Sequence, residues 1–263
     1  MLLTVNDKKV FAYTANRPYD AAKPTVVFLH GAANDHSVWT LQSRYFAYHG
    51  WNALALDLPG HGKSADKALD SIPVLADWVI AVLDAMDVQS ASLVGHSMGS
   101  LVALDAATRF ADRVAKIAMV GTAVPMPVSE PLLSAAQAND HLAYEMINAF
   151  GHSAPAQLGG NRVPGAWMTG ASMRLMERSG NGVLFADFSA CNRYTDGLAS
   201  AAKVRCPTLL ILGKRDLMTP AKAASALAAT IPGARSVTLD GAGHALMAER
   251  PDEVLDSLIT FLA

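Results

Sequence analysis

The sequence predicts an α/β fold, a mostly parallel sheet covered by helices on both faces. Three features carry that expectation. Short apolar runs alternate with segments of helical period along most of the 263 residues. Several runs, such as "TVVFLHG" (25–31), are apolar throughout, as strands buried on both faces are. The stretches between them are long enough for the right-handed crossovers that join parallel strands.

Taken in order, "KVFAYTAN" reads as an antiparallel strand near the amino terminus and "TVVFLHG" as a central strand. A helix follows over "SVWTLQSRYFAYHG", with Val38, Leu41, Tyr45 and Tyr48 as its apolar face and Gly50 as its stop. The strand "NALALDLPG" comes next, then a helix over about Ile72 to Met86, the strand "ASLVGHS", a helix from Met98 to about Phe110, and the strand "VAKIAMVG". Past a gap the alternation resumes with "PTLLILG" as strand, "PAKAASALAATI" as helix, "ARSVTLDG" as strand and "PDEVLDSLITFLA" as a closing amphipathic helix. The gap, about Thr122 to Val204, is richer in Pro, Gly and Met, and carries helical stretches such as "EPLLSAAQANDHLAYEMINAFG" and "AWMTGASMRLMERSG". It reads as a helical insertion over the carboxyl ends of the strands, where open α/β sheets place their ligands. The expected division is a core of residues 1–121 and 205–263 with a cap of 122–204.

Composition narrows the function classes. With 51% hydrophobic and 17% charged residues the chain is an ordinary globular protein, and a net charge of −2 gives no reason to expect nucleic acid or an anionic membrane as partner. No apolar run approaches the roughly 20 residues that cross a bilayer, and "MLLTVNDKKV" lacks the basic and long apolar regions of a signal peptide. Two cysteines, Cys191 and Cys206, are too few for a disulfide framework. The expectation is a cytoplasmic protein acting on a small molecule.

The chemistry lies at the strand ends. Gly95-His96-Ser97-Met98-Gly99 fits G-x-S-x-G between a strand and a helix. There a sharp turn lifts Ser97 above the sheet at a helix amino terminus, and the glycines remove side chains that would collide. A serine hydroxyl needs a base to take its proton and an acid to orient that base. Asp216 in "LLILGKRDLMTP" and His244 in "LDGAGHALMAERP" follow later strands in the order serine, acid, histidine. Ser97 is thus the expected nucleophile, His244 the general base and then acid, and Asp216 the group that holds the imidazole tautomer. An oxyanion hole requires two amides. Met98 supplies one, and the loop His30-Gly31-Ala32-Ala33 supplies the other through Ala32 or, failing that, Ala33.

On the stretches "FLHGAA", "DLPGHGKS", "GHSMG", "GKRDLMTP" and "GAGHALMAERP", the chain resembles the α/β-hydrolase-fold serine hydrolases. The resemblance implies an eight-stranded, mostly parallel sheet with a cap inserted after the sixth strand. It also implies the triad Ser97, Asp216 and His244, no cofactor and no metal. The activity it favours is hydrolysis of carboxylic esters of small, partly apolar molecules through an acyl-enzyme. Carbon-carbon bond hydrolysis, lactone opening and cofactor-free perhydrolysis use the same triad and stay open, as does a non-catalytic ligand-binding protein of this fold. Dehalogenases and epoxide hydrolases would carry Asp in place of Ser97.

Rival readings fall on residue identity. "DLPGHGKS" ends like a phosphate-binding loop but has Asp57 where that loop needs glycine, so Asp57 is expected to be structural. No histidine pair has metal-ligand spacing. Asp187 and Asp196 fall in the insertion, and Asp240 stands at the strand end before His244, which leaves Asp216 as the acid. Met126, Met146, Trp167, Met168, Met173, Met176, Phe185 and Phe188 could form an apolar substrate wall, and Arg162, Arg174 or Arg193 could receive a carboxylate.

Overall fold

A computed structural model of the chain describes residues 1–160 and 165–263; Arg162 lies outside the described residues. The strands are β1 Leu2–Val5, β2 Lys8–Tyr13, β3 Thr25–Leu29, β4 Asn52–Leu56, β5 Ala91–His96, β6 Val114–Val120, β7 Thr208–Gly213 and β8 Arg235–Leu239. The helices are α1 Thr40–Tyr48, α2 Ile72–Ala85, α3 Met98–Arg109, α4 Glu130–Gln137, α5 Leu142–Gly151, α6 Ala154–Gln157, α7 Met168–Met176, α8 Val183–Arg193, α9 Gly197–Ala201, α10 Ser225–Thr230, α11 Leu246–Glu249 and α12 Pro251–Leu262.

The eight strands form one sheet in the order β1-β2-β4-β3-β5-β6-β7-β8. The pairs β1/β2 and β2/β4 are antiparallel and the others parallel, so the fold is the predicted mostly parallel α/β sheet. Neighbouring residues along a strand feed different cores, which is why these strands read as unbroken apolar runs. In β3, Val27 and Leu29 join a cluster with Leu75 and Val79 of α2 and Leu101 of α3. Val26 and Phe28 join another with Phe46 of α1 and Val254 and Leu258 of α12. The edge strand β8 is instead largely exposed and polar, which discourages pairing with another chain.

Two local readings need correction. The residue pattern shows seven strands, and the eighth is β1, joined to β2 by Asn6 and Asp7 at φ +48° and +61°. That is the two-residue hairpin turn that Asn and Asp tolerate. Second, α1 begins at Thr40 after a single 3₁₀ turn, His36–Trp39, and buries a different face. Leu41 and Tyr48 are 58% and 55% exposed, while Trp39, Gln42, Ser43, Phe46 and Ala47 are buried. Because Trp39 reaches back to donate to the Leu29 carbonyl (3.1 Å), it sets the rotation of this element.

All six parallel strands end on one edge, and the loops there are tied by buried histidines. His30 donates from Nδ1 to the Gly31 carbonyl (2.8 Å), and its Nε2 accepts from the Leu58 amide (3.1 Å). His96 donates from Nε2 to the His244 carbonyl (2.9 Å), joining the ends of β5 and β8. Burial, with His61 beside one and His244 beside the other, pushes both imidazoles down to about 3. Among the described residues no helix is long and apolar enough to cross a membrane.

These two histidines give the fold an acid limit. Unfolded, each binds a proton near the ordinary imidazole value of about 6.5; folded, each stays neutral until about 3. The unfolded state therefore holds more protons between those values, so stability falls as pH is lowered, by at most about 1.4 kcal/mol per pH unit per histidine. Urea unfolding of His30→Asn and His96→Asn should show lower stability at pH 7 but a shallower loss between pH 6.5 and 4. Slopes equal to the unmodified protein's would refute the assignment.

Candidate active site

Ser97 follows β5 directly and has φ +51° and ψ −118°, a left-handed backbone that side chains adopt at a cost. Close packing forces that turn. A Cβ on Gly95 would lie 2.1 Å from the Gly99 carbonyl oxygen, and one on Gly99 would lie 2.5 Å from the Leu29 carbonyl oxygen. The turn is then held by bonds from the Ser97 amide to the Val120 carbonyl (3.0 Å) and from the Ser100 amide to the Ser97 carbonyl (2.9 Å). Ser97 itself is half-buried at the start of α3.

His244 and Asp216 meet at the same sheet edge. His244 Nδ1–H donates to Asp216 Oδ2 at 2.8 Å, which leaves Nε2 without a proton in the neutral ring. Asp216 also accepts from the Thr219 hydroxyl (2.7 Å) and from the Met218 and Thr219 amides (2.9 and 2.8 Å). Burial would raise the Asp216 carboxyl, but the His244 charge and the bonds from His244 and Thr219 outweigh it and hold the group below the usual carboxylate range. The ring of His244 lies against Gly121, where a Cβ would be 3.2 Å from Nδ1. Its loop is fixed from below by Glu249, which accepts from the amides of Gly243 (3.0 Å) and Ser153 (3.2 Å), and by the His244 amide donating to the Gly151 carbonyl (2.9 Å).

The two amides expected to face a substrate carbonyl also sit on this edge. Met98 is the first residue of α3, so its N–H has no partner within the helix. The loop after β3 reaches Ser97 from the other side, where a Cβ on Gly31 would lie 3.1 Å from the Ser97 Cβ. Of the two alanines there, Ala33 has its amide engaged, donating to Asp187 Oδ2 at 2.8 Å. Among the described residues the Ala32 amide has no such partner.

The rival acids go elsewhere. Asp240 pairs with Lys214 at the surface (2.7 Å), and Asp196 is exposed at the start of α9. Asp57 is a loop clasp as expected, since Oδ1 accepts from the His36 amide and ring and Oδ2 from the Lys63 amide. Asp35, which completes a three-residue cluster with His36 and Asp57, caps the Ser37 amide. Thr219 and Glu249 do not figure in the sequence expectations, and Asp187 figures there only as a rival acid. Thr219 alone left a local sign, since Asp followed three residues later by Thr favours a turn in which the Asp side chain accepts from backbone.

Beside His244 and His96 opens a cavity of about 570 Å³. Of the suggested apolar wall, Trp167, Met168 and Met176 line it, with Ile147, Leu175 and Met218. Met146, Met173, Phe185 and Phe188 instead build a small core among α4, α5, α7 and α8, and Met126 joins the main core. Arg174 lies at the cavity but pairs with Glu177 (2.7 Å), whereas Arg193 pairs with Asp70 away from it.

Comparison with known proteins gives the same picture. The family model described as alpha/beta hydrolase family matches residues 26–257. A pimeloyl-[acyl-carrier protein] methyl ester esterase of Aromatoleum aromaticum is 30% identical over 88% of this chain and 95% of its own length. An (E)-2-((N-methylformamido)methylene)succinate hydrolase of Acinetobacter baylyi is 25% identical over 90% of this chain and 89% of its own. Among solved structures, the enol-lactonase from Burkholderia xenovorans LB400 superposes with a TM-score of 0.88 over 100% of this chain and 99% of that one, at 23% identity, a likeness of fold. The nearly full-length family match, on a sheet whose order and strand-end loops carry the serine turn and the Asp–His pair, places the chain in the alpha/beta hydrolase family.

Proposed function

We propose that this protein hydrolyses carboxylic esters through an acyl-enzyme, with Ser97, His244 and Asp216 as its catalytic triad. The observation that carries the reading is the 2.8 Å bond from His244 Nδ1 to Asp216, which fixes the tautomer whose Nε2 can take a proton from Ser97. Ser97 Oγ attacks the ester carbonyl as His244 removes its proton. The Ala32 and Met98 amides hold the oxyanion. His244 then protonates the departing alcohol, and a water activated by the same ring releases the acid and restores Ser97. Asp216 stays ionised throughout and stabilises the imidazolium. Each step uses side chains and amides of the chain itself.

Residues 122–204 act in this reading as the cap that selects the acyl group. The cavity is walled by Ile147, Trp167, Met168, Leu175 and Met176 from that segment, and most of its surface is apolar. Flexible methionines suit a chain of varied shape better than a rigid ring system. The methyl ester esterases among the relatives support a small leaving alcohol. Esters of short alcohols with unbranched acyl chains of intermediate length are the expected substrates.

A fluorophosphonate probe should label the protein at Ser97, and Ser97→Ala should abolish labelling and lower kcat by about 10⁴-fold or more. Labelling that persists in this variant would sink the assignment. Asp216→Asn should lower kcat by about 10³–10⁴-fold while the protein stays folded, because the amide selects the wrong His244 tautomer. In a nitrophenyl ester series kcat/KM should peak at intermediate acyl length, and Met168→Trp, by filling the cavity, should move the peak to shorter chains. A peak that stays in place would remove this wall from the acyl site.

A further inference from the structure

Asp187 belongs to α8 in the helical segment, yet its carboxylate lies under the loop that follows β3. It is 1% exposed. One oxygen, Oδ2, accepts both the Ala33 amide (2.8 Å) and His61 Nε2–H (2.9 Å). The His61 ring is itself surrounded by acceptors, since Nδ1 faces the Pro59 carbonyl at 3.0 Å. Burial opposes a charge on this ring, but Asp187 and the Pro59 carbonyl beside it raise the His61 imidazole above its ordinary value, and the ring with a proton on each nitrogen makes both bonds at once.

Ala33 is where that pair acts. Its φ is +53°, a left-handed backbone that alanine adopts only when its surroundings impose it. The helical segment grips it at both polar groups, with Asp187 on the amide and the Ser179 hydroxyl donating to the carbonyl (3.1 Å). The Gly31 carbonyl accepts from the Asn34 amide (3.3 Å), and the Ala32 carbonyl accepts from Asn34 Nδ2 (3.2 Å). Among the described residues every polar backbone group from the Gly31 carbonyl to the Ala33 carbonyl is therefore bound, apart from the Ala32 amide.

We propose that Asp187, bound to both His61 and the Ala33 amide, is a positioning residue for the oxyanion hole. By holding the Ala33 amide and its left-handed turn, it keeps the neighbouring Ala32 amide aimed at the oxyanion on Ser97. The helical segment is then part of the catalytic apparatus as well as a wall of the acyl site. A buried ion pair is a weak source of stability, because desolvation offsets the attraction, so geometry is the more telling reason for this one.

The inference rests on Ser97 as nucleophile, and its test separates the two. The readouts are kcat and KM for a nitrophenyl ester and the inhibition constant of an alkyl trifluoromethyl ketone, whose serine adduct carries an oxyanion. In Asp187→Ala, kcat should fall on the order of 10–100-fold with KM within about twofold, and inhibitor affinity should fall with kcat. Asp187→Asn, with its amide oxygen in the place of Oδ2, keeps an acceptor for both the Ala33 amide and His61 Nε2–H, so it should recover most of that loss. Ala33→Gly added to Asp187→Ala should recover part of it, since glycine adopts the turn unaided. If Asp187→Ala does not fold, Asp187→Ser, whose hydroxyl is too short to reach Ala33, takes its place. Unchanged kcat and inhibitor affinity in a folded variant, a rise in KM alone, or Asp187→Asn as impaired as Asp187→Ala would each overturn the proposal. An active Ser97→Ala would instead overturn the ester-hydrolase reading itself.

Discussion

The close approach of the β5–α3 turn to the end of β3 is the constraint on which the site depends. With Gly99 resting against the Leu29 carbonyl, any side chain there would push α3 off the sheet. That contact lets the helix start immediately above the strand ends, with Ser97 at its N-cap beside the positive end of the helix dipole. The left-handed backbone of Ser97 is the local strain this arrangement imposes. It persists because the Val120 carbonyl, the Ser100 amide and two glycines fix the turn from every side.

Once the serine is placed, the other groups must be brought to it from distant parts of the chain, and the sheet does so through its strand order. Ser97 and His244 are 147 positions apart in sequence. Their loops share one edge because β5 and β8 both end there, and the bond from His96 to the His244 carbonyl ties these ends together. That tie demands a proton on His96 Nε2, and burial keeps the rest of the ring uncharged. His30 goes further and splits its two nitrogens between the Gly31 carbonyl and the Leu58 amide. His30 suits its joint because one neutral ring donates to one loop and accepts from another.

What the sequence disclosed follows from the range of each interaction. The serine turn was legible because its requirements fall within five consecutive residues, and the Asp216–His244 pair because Asp216 follows the apolar strand β7 while His244, after the polar β8, stands in a glycine-rich loop in the right chain order. The rotation of α1 was misread because periodicity counts apolar side chains, whereas the buried face includes Gln42 and Ser43 and is set by the indole of Trp39 reaching β3. The hairpin of β1 was overlooked because its Asn6-Asp7 turn joins strands of mixed polarity. Asp187 had no local sign at all. Its partners His61 and Ala33 lie 126 and 154 residues earlier, and a buried acid in an inserted segment looks in one dimension like a surface one.

That last pairing changes what the helical segment is. Its small core, built on Leu132, Ala136, Leu184 and Phe188, also takes in Ala33 from the loop after β3. The segment's α8 then enters the main core through Ala190 and Cys191, and α9 rests on α3. A segment anchored at so many points is poorly suited to swing away as a rigid lid. Substrate entry is more economically served by movement near Trp167, an exposed side chain lying over Gly170 at the cavity. Rigidity beneath α8 and freedom near Trp167 are compatible demands, because in the proposed mechanism the loop after β3 holds an oxyanion to within a fraction of an ångström while the cavity wall admits acyl chains of different shape.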